Sequence, residues 1–151
     1  MFSGRRAQGW WRMSLEPVPF ERLAQIEAEN AVAWYQHLMR LEDWIIRVEV
    51  HDGPPAWWED ADALIRGATE RMCQDQGARI WVSNLRCSEG PDAPYDPLTT
   101  LFHECEHVRG SRDGTEPADE NVPYAKEFAN TCVGRALARL YRWETGQQDG
   151  R

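Results

Sequence analysis

At 151 residues, with 42% hydrophobic and 28% charged side chains, the chain has the size and balance of one soluble globular domain, able to bury a core without staples. Its net charge of −8 argues against a nucleic-acid surface, which needs clustered Lys and Arg, and suits a metal cation or a basic protein partner. No apolar run reaches membrane-spanning length, and Cys73, Cys87, Cys105 and Cys132 form no CxxC pair.

The opening "MFSGRRAQGWWRM" has no apolar signal core. Residues 1–13 are expected to be a disordered extension, 14–145 one domain and 146–151 a disordered tail, in a cytoplasmic protein with reduced thiols. "PFERLAQIEAENAVAWYQHLMRLEDW" carries Leu23, Ile26, Ala33, Trp34, His37, Leu38 and Leu41 near helical spacing. "DWIIRVEV" is rich in β-branched residues and reads as a strand, which "HDGPP" breaks. "AWWEDADALIRGATERMCQ" reads as a second helix, and "QGARIWVSN" as a second strand. Asp96 can cap a third helix with Pro97 at its first position. "GSRDGTEPADENVP" reads as a polar loop. "YAKEFANTCVGRALARLYRW" reads as a fourth helix, with Ala129, Cys132, Val133, Ala136 and Leu140 as its apolar stripe. The order α-β-α-β-α-α gives an α+β domain: a small sheet with helices mainly on one face. The eight tryptophans read mostly as packing residues, with Trp57 and Trp58 alternatively a contact surface.

The third helix carries "LFHECEH". On a helix, residues four apart share a face, so His103 and His107 can turn their ring nitrogens to one metal ion. Glu104, about 100° round from His103, can reach a water on that ion. This is the H-E-x-x-H arrangement of zinc hydrolases, two imidazole ligands and a carboxylate general base. Leu98, Leu101, Phe102, Cys105 and Val108 form a separate apolar stripe, so Cys105 reads as packing and Glu106 as solvated. His37 and His51 are isolated and read as structural.

A catalytic zinc takes three protein ligands and keeps one open position. Asp113 is one candidate for the third place: "HECEHVRGSRD" fits H-E-x-x-H-x-x-G-x-x-D, with Gly110 turning the chain. That pattern resembles the metzincin peptidases, but their methionine turn is missing, since Met1, Met13, Met39 and Met72 all precede the motif. Glu127 is the other candidate, twenty residues after His107 on the next helix, a spacing similar to the gluzincins. It heads a stripe of small residues, Thr131, Gly134 and Ala138, along which two helices can approach closely. Glu127 is favoured.

"TLFHECEH" followed by "PYAKEFANTCVGRAL" resembles the short zincin-like metallopeptidases of phages and mobile elements. It is similar in particular to the peptidase domain of ArdC-type antirestriction proteins, through Tyr124, Ala125, Glu127 and Gly134, and more distantly to the ImmA/IrrE peptidases. The pattern's second and third glutamates are replaced by Phe128 and Cys132, so only Glu127 carries the ligand role across. The resemblance covers roughly residues 78–140 and implies a minimal zincin fold and peptidase activity.

The expected chemistry is peptide hydrolysis with Zn²⁺ as cofactor, His103, His107 and Glu127 as ligands and Glu104 as general base. Tyr124, Arg109 and Tyr95 are candidate stabilisers of the transition-state oxyanion, and "ARIWVSN" offers an edge for an extended peptide. The expected partner is a protein or peptide substrate, with a host factor among the candidates, and neither nucleic acid nor membrane. The competing expectation is a non-catalytic phage or mobile-element protein that binds and inhibits a host protein through the same scaffold.

Overall fold

The structure, a computed structural model, describes residues 22–58, 66–72, 75–84, 96–116 and 122–146. Among these residues the chain is α+β, with three helices and one mixed three-stranded sheet. The elements are α1 (Gln25–Leu38), β1 (Ile45–His51), β2 (Gly67–Met72), β3 (Gly77–Ser83), α2 (Pro97–Asp113) and α3 (Tyr124–Thr145). Residues 1–21 and 147–151, where the extension and most of the tail were expected, lie outside the described residues. Among the described residues, no helix is long and apolar enough to cross a membrane.

The sheet order is β1-β3-β2. β1 lies parallel to β3, with Val48 opposite Ile80, and β2 lies antiparallel to it, with Thr69 opposite Ile80. β3 is therefore the central strand, paired on both sides. The expectation that "ARIWVSN" offers a free edge is corrected: β1 and β2 are the edge strands among the described residues.

β2 itself corrects the expected second helix. Within that span, residues 67–72 are extended and residues 59–65 lie outside the described residues. Ala, Glu, Arg and Met are good helix formers, so "GATERM" looks helical by local preference. Tertiary pairing decides otherwise, because every residue of the strand has a partner on β3. Gly67 completes the fit: a Cβ there would lie 2.8 Å from Thr100 Cγ2 and 2.9 Å from the Trp81 carbonyl oxygen. Alternate residues then face the helices, so Gly67, Thr69 and Arg71 all look towards α2.

The helices cover one face of the sheet. Val48, Ala78, Ile80 and Val82 meet Leu98, Leu101, Phe102, Cys105 and Val108 of α2 in a single core. Trp34 and Tyr35 of α1 pack on Phe102, and Tyr141 of α3 closes the group at 6.0 Å from Phe102 between ring centroids. On the opposite face Trp81 is fully buried beneath Trp58, and Arg79 stacks on Trp57. Trp57 and Trp58 thus pack on the back of the sheet.

The apolar stripe expected on α3 is also corrected. Ala129, Cys132 and Ala136 are exposed, while Asn130, Gly134, Leu137, Ala138 and Tyr141 are buried. The helix buries its small-residue side, because contact with α2 demands closeness more than apolar bulk.

Candidate metal centre

α2 begins as its sequence predicts. Pro97 occupies the first turn, and the Asp96 carboxylate accepts from the Leu98 amide at 3.1 Å and from the Thr99 hydroxyl at 3.1 Å. Arg142, near the end of α3, grips the same carboxylate with two bonds of 2.7 and 2.8 Å. The start of α2 is thereby fixed to the end of α3, and the two helices run antiparallel. Gly134 sits at their closest approach, where a Cβ would lie 2.7 Å from the Thr99 carbonyl oxygen and 3.1 Å from the His103 amide nitrogen. That approach brings the first turns of α3 against the histidine face of α2.

The result is a group of three side chains. Nε2 of His103 lies 2.7 Å from Glu127 Oε1, and Nε2 of His107 lies 3.1 Å from the same oxygen. One candidate ligand atom from each of the three residues lies within 4.8 Å of the other two. Behind the rings, His103 Nδ1 contacts the Thr131 hydroxyl at 2.9 Å, and His107 Nδ1 contacts Glu116 Oε1 at 2.6 Å. Thr131 in turn donates to the Glu127 carbonyl oxygen at 3.2 Å. No lysine or arginine pairs with the Glu127 carboxylate among the described residues. Two imidazole nitrogens and a carboxylate oxygen that converge in this way could hold a metal ion.

Glu104 is buried beside this group. Thr69 of β2 donates to its Oε1 at 2.6 Å. Burial pushes the Glu104 carboxyl above its ordinary value; His107, His103 and the Thr69 hydroxyl pull it back, and Glu127 adds to the rise. Glu106, two residues on, corrects the expectation of a solvated side chain. It is fully buried, accepts from the Tyr35 hydroxyl, and is gripped by Arg109 at 2.6 and 2.9 Å. Burial alone would raise its carboxyl, but the bonds from Arg109 and Tyr35 outweigh that and hold it below the ordinary carboxylate value. Cys105 between them is buried in the core, where burial pushes its thiol up, as an inert packing residue requires.

The remaining candidates separate clearly. Gly110 does not turn the chain, since α2 continues to Asp113 and ends at Gly114, whose φ is +78°. Asp113 pairs instead with Arg112 at 2.7 Å and Arg109 at 3.4 Å, away from the three-residue group. Arg109 is committed to Glu106 on another face of α2. Tyr124 is 82% exposed and stacks on Phe128. Tyr95 lies outside the described residues. His37 pairs with Glu42, and His51 with Glu49.

Thr69, Glu116, Asn130 and Thr131 surround the group and were not singled out from the sequence as site residues. Of these, only Thr131 carried a signal, its helical spacing from Glu127. Comparisons of the chain with protein-family models, with curated proteins and with solved structures find no match in any of the three.

Proposed function

We propose that this protein is a zinc-dependent metallopeptidase with a minimal zincin-like fold, in which His103, His107 and Glu127 hold the ion and Glu104 is the general base. The observation that carries the reading is the convergence of both histidine Nε2 atoms on one Glu127 oxygen, with the buried Glu104 carboxyl on the same side of α2. A zinc ion at that position would polarise a peptide carbonyl and acidify a water. The chain's own residues supply the rest. Glu104 takes a proton from the attacking water and returns it to the departing amine. A carboxyl raised by burial is suited to both halves of that transfer, and Thr69 fixes its orientation. The outer edge of β2, unpaired among the described residues, lies on the strand that carries Thr69, and can align an extended peptide by main-chain hydrogen bonds.

A purified, zinc-loaded sample incubated with a mixed peptide library tests the proposal, with cleavage read by mass spectrometry. Glu104→Gln should retain zinc and lose turnover by about 10²–10⁴-fold. Cleavage at the wild-type rate by that variant sinks the mechanism. The second reading, a non-catalytic binding protein on the same scaffold, is favoured by the exposed, stacked Tyr124 and Phe128 beside Glu127. It predicts zinc binding without cleavage in either protein.

A further inference from the structure

We infer that Glu116 is a positioning residue of the metal centre: held by Arg71 and Asn130, it sets the His107 ring so that Nδ1–H points inward and Nε2 faces Glu127. The inference rests on reading His103, His107 and Glu127 as ligands.

Glu116 reaches this position by a local device. Gly114 takes the left-handed conformation and turns the chain back. The Thr115 and Glu116 amides then donate to the Gly110 carbonyl oxygen at 2.9 and 3.1 Å, which closes the end of α2. The Glu116 side chain folds over Gly110 into the space a Cβ would fill, for that atom would lie 2.9 Å from Oε2 and 3.0 Å from Cδ and Cγ. The glycine of the motif therefore serves to admit a carboxylate, and its conformation stays helical.

The contacts of the carboxylate come from β2, α2 and α3. Arg71 of β2 donates to Oε1 at 3.1 Å and also binds the Ser111 hydroxyl at 2.8 Å. Asn130 of α3 donates to Oε2 at 3.2 Å, and Lys126 lies 3.9 Å from the same oxygen. The carboxylate is buried, and a buried charge needs such compensation. Its shortest contact is nevertheless the one to His107 Nδ1, at 2.6 Å. A carboxylate accepts, so Nδ1 is the donor in this contact. A ring held as the Nδ1–H tautomer is the one that would offer its Nε2 lone pair to an ion in place of the Glu127 contact. His103 has a weaker counterpart, the neutral Thr131 hydroxyl. The two histidines are thus held unequally, and His107 is the one locked from three elements.

Histidine side-chain ¹H–¹⁵N NMR on the full chain, with Zn²⁺ affinity measured by chelator competition, tests this role. The wild type should show a slowly exchanging His107 Nδ1–H. Glu116→Ala should lose that signal and bind Zn²⁺ about 10–100-fold more weakly. Glu116→Gln, whose carbonyl can still accept, should restore the signal and part of the affinity. Gly110→Ala keeps every functional group but displaces the carboxylate, so it should weaken Zn²⁺ binding with an unchanged circular dichroism spectrum; it carries the test if Glu116→Ala does not fold. A His107 Nδ1–H that persists in Glu116→Ala, a bare Nδ1 in the wild type, or wild-type zinc affinity in both Glu116→Ala and Gly110→Ala overturns the inference. If the Nδ1–H signal follows Glu116 while no form binds Zn²⁺, the ring-positioning role stands and the metal reading fails.

Discussion

Glu104 and Glu106 lie two residues apart on α2, and both are buried. Their surroundings push them in opposite directions. Glu106 faces α1 and is closed off by Tyr35 and Arg109, so its carboxylate is stabilised in the charged form. Glu104 faces β2 and the histidines, has the Thr69 hydroxyl as its partner, and is pushed towards the neutral form. A buried carboxylate whose donors satisfy it pins one helix to another. On the proposed reading, a buried carboxylate left under-supplied beside candidate ligand atoms would be ready to exchange a proton. Burial and residue type are the same; the supply of donors sets the direction in which each carboxyl is pushed.

The largest expected effect breaks the chemical side of that comparison. His107→Ala removes a ligand and should abolish both zinc binding and cleavage, read by metal analysis and peptide turnover. The structural side breaks next. Glu106→Gln leaves Arg109 with only its longer contact to Asp113 and weakens the support of the buried Tyr35 hydroxyl, and should cost roughly 1–3 kcal/mol in urea unfolding, with zinc affinity preserved. Glu104→Gln sharpens the contrast, because in the metal-free protein at neutral pH it should be neutral or mildly stabilising in the same unfolding assay. Equal losses from the two substitutions would erase the distinction drawn between the glutamates.

The acid limb of stability should separate them further. Glu106 has a folded value below its ordinary 4.5, so the stability it contributes is present above that value and is lost as pH falls through it towards the folded value. Glu49 behaves alike: burial raises it, but bonds from His51, Trp57 and Arg79 prevail and hold it at about 2. Its share is therefore lost between 4.5 and about 2. Glu104 has the opposite sign, since a raised folded value costs stability as pH rises above 4.5. The pH dependence of unfolding in Glu106→Gln should be flatter on the acid side than that of the wild type.

A smaller effect should come from Gly134→Ala. Alanine usually favours a helix interior by roughly 0.5–1 kcal/mol over glycine. Here the added methyl meets the Thr99 carbonyl oxygen at 2.7 Å, so α3 must move away from α2. Weaker zinc binding together with a lower melting temperature is the expected outcome, and a plain stabilisation would show that the helix contact does not set the site.

Much of this arrangement can be read in the sequence because it is local. Asp96 and Pro97 mark the start of α2, the spacing of His103 and His107 selects one face, and the small residues after Glu127 indicate the close side of α3. What is not legible depends on distant partners. β2 is extended because β3 pairs with it and α2 presses on Gly67, neither of which its own residues express. The burial of Glu106 requires Tyr35, seventy-one positions earlier. Glu116 lies in a stretch that reads as polar loop, and its position depends on the left-handed turn at Gly114. Gly110 shows the same limit in reverse: the glycine in the motif is a sequence signal, but it provides room for a side chain and no turn.

The most direct test of the central claim is zinc content per chain in purified wild type, Asp113→Ala and Glu127→Ala. The account predicts about one zinc in the first two and its loss in the third. A wild type that holds no zinc after gentle purification, or a Glu127→Ala protein that keeps it, would contradict the assignment of His103, His107 and Glu127 as the ligand set.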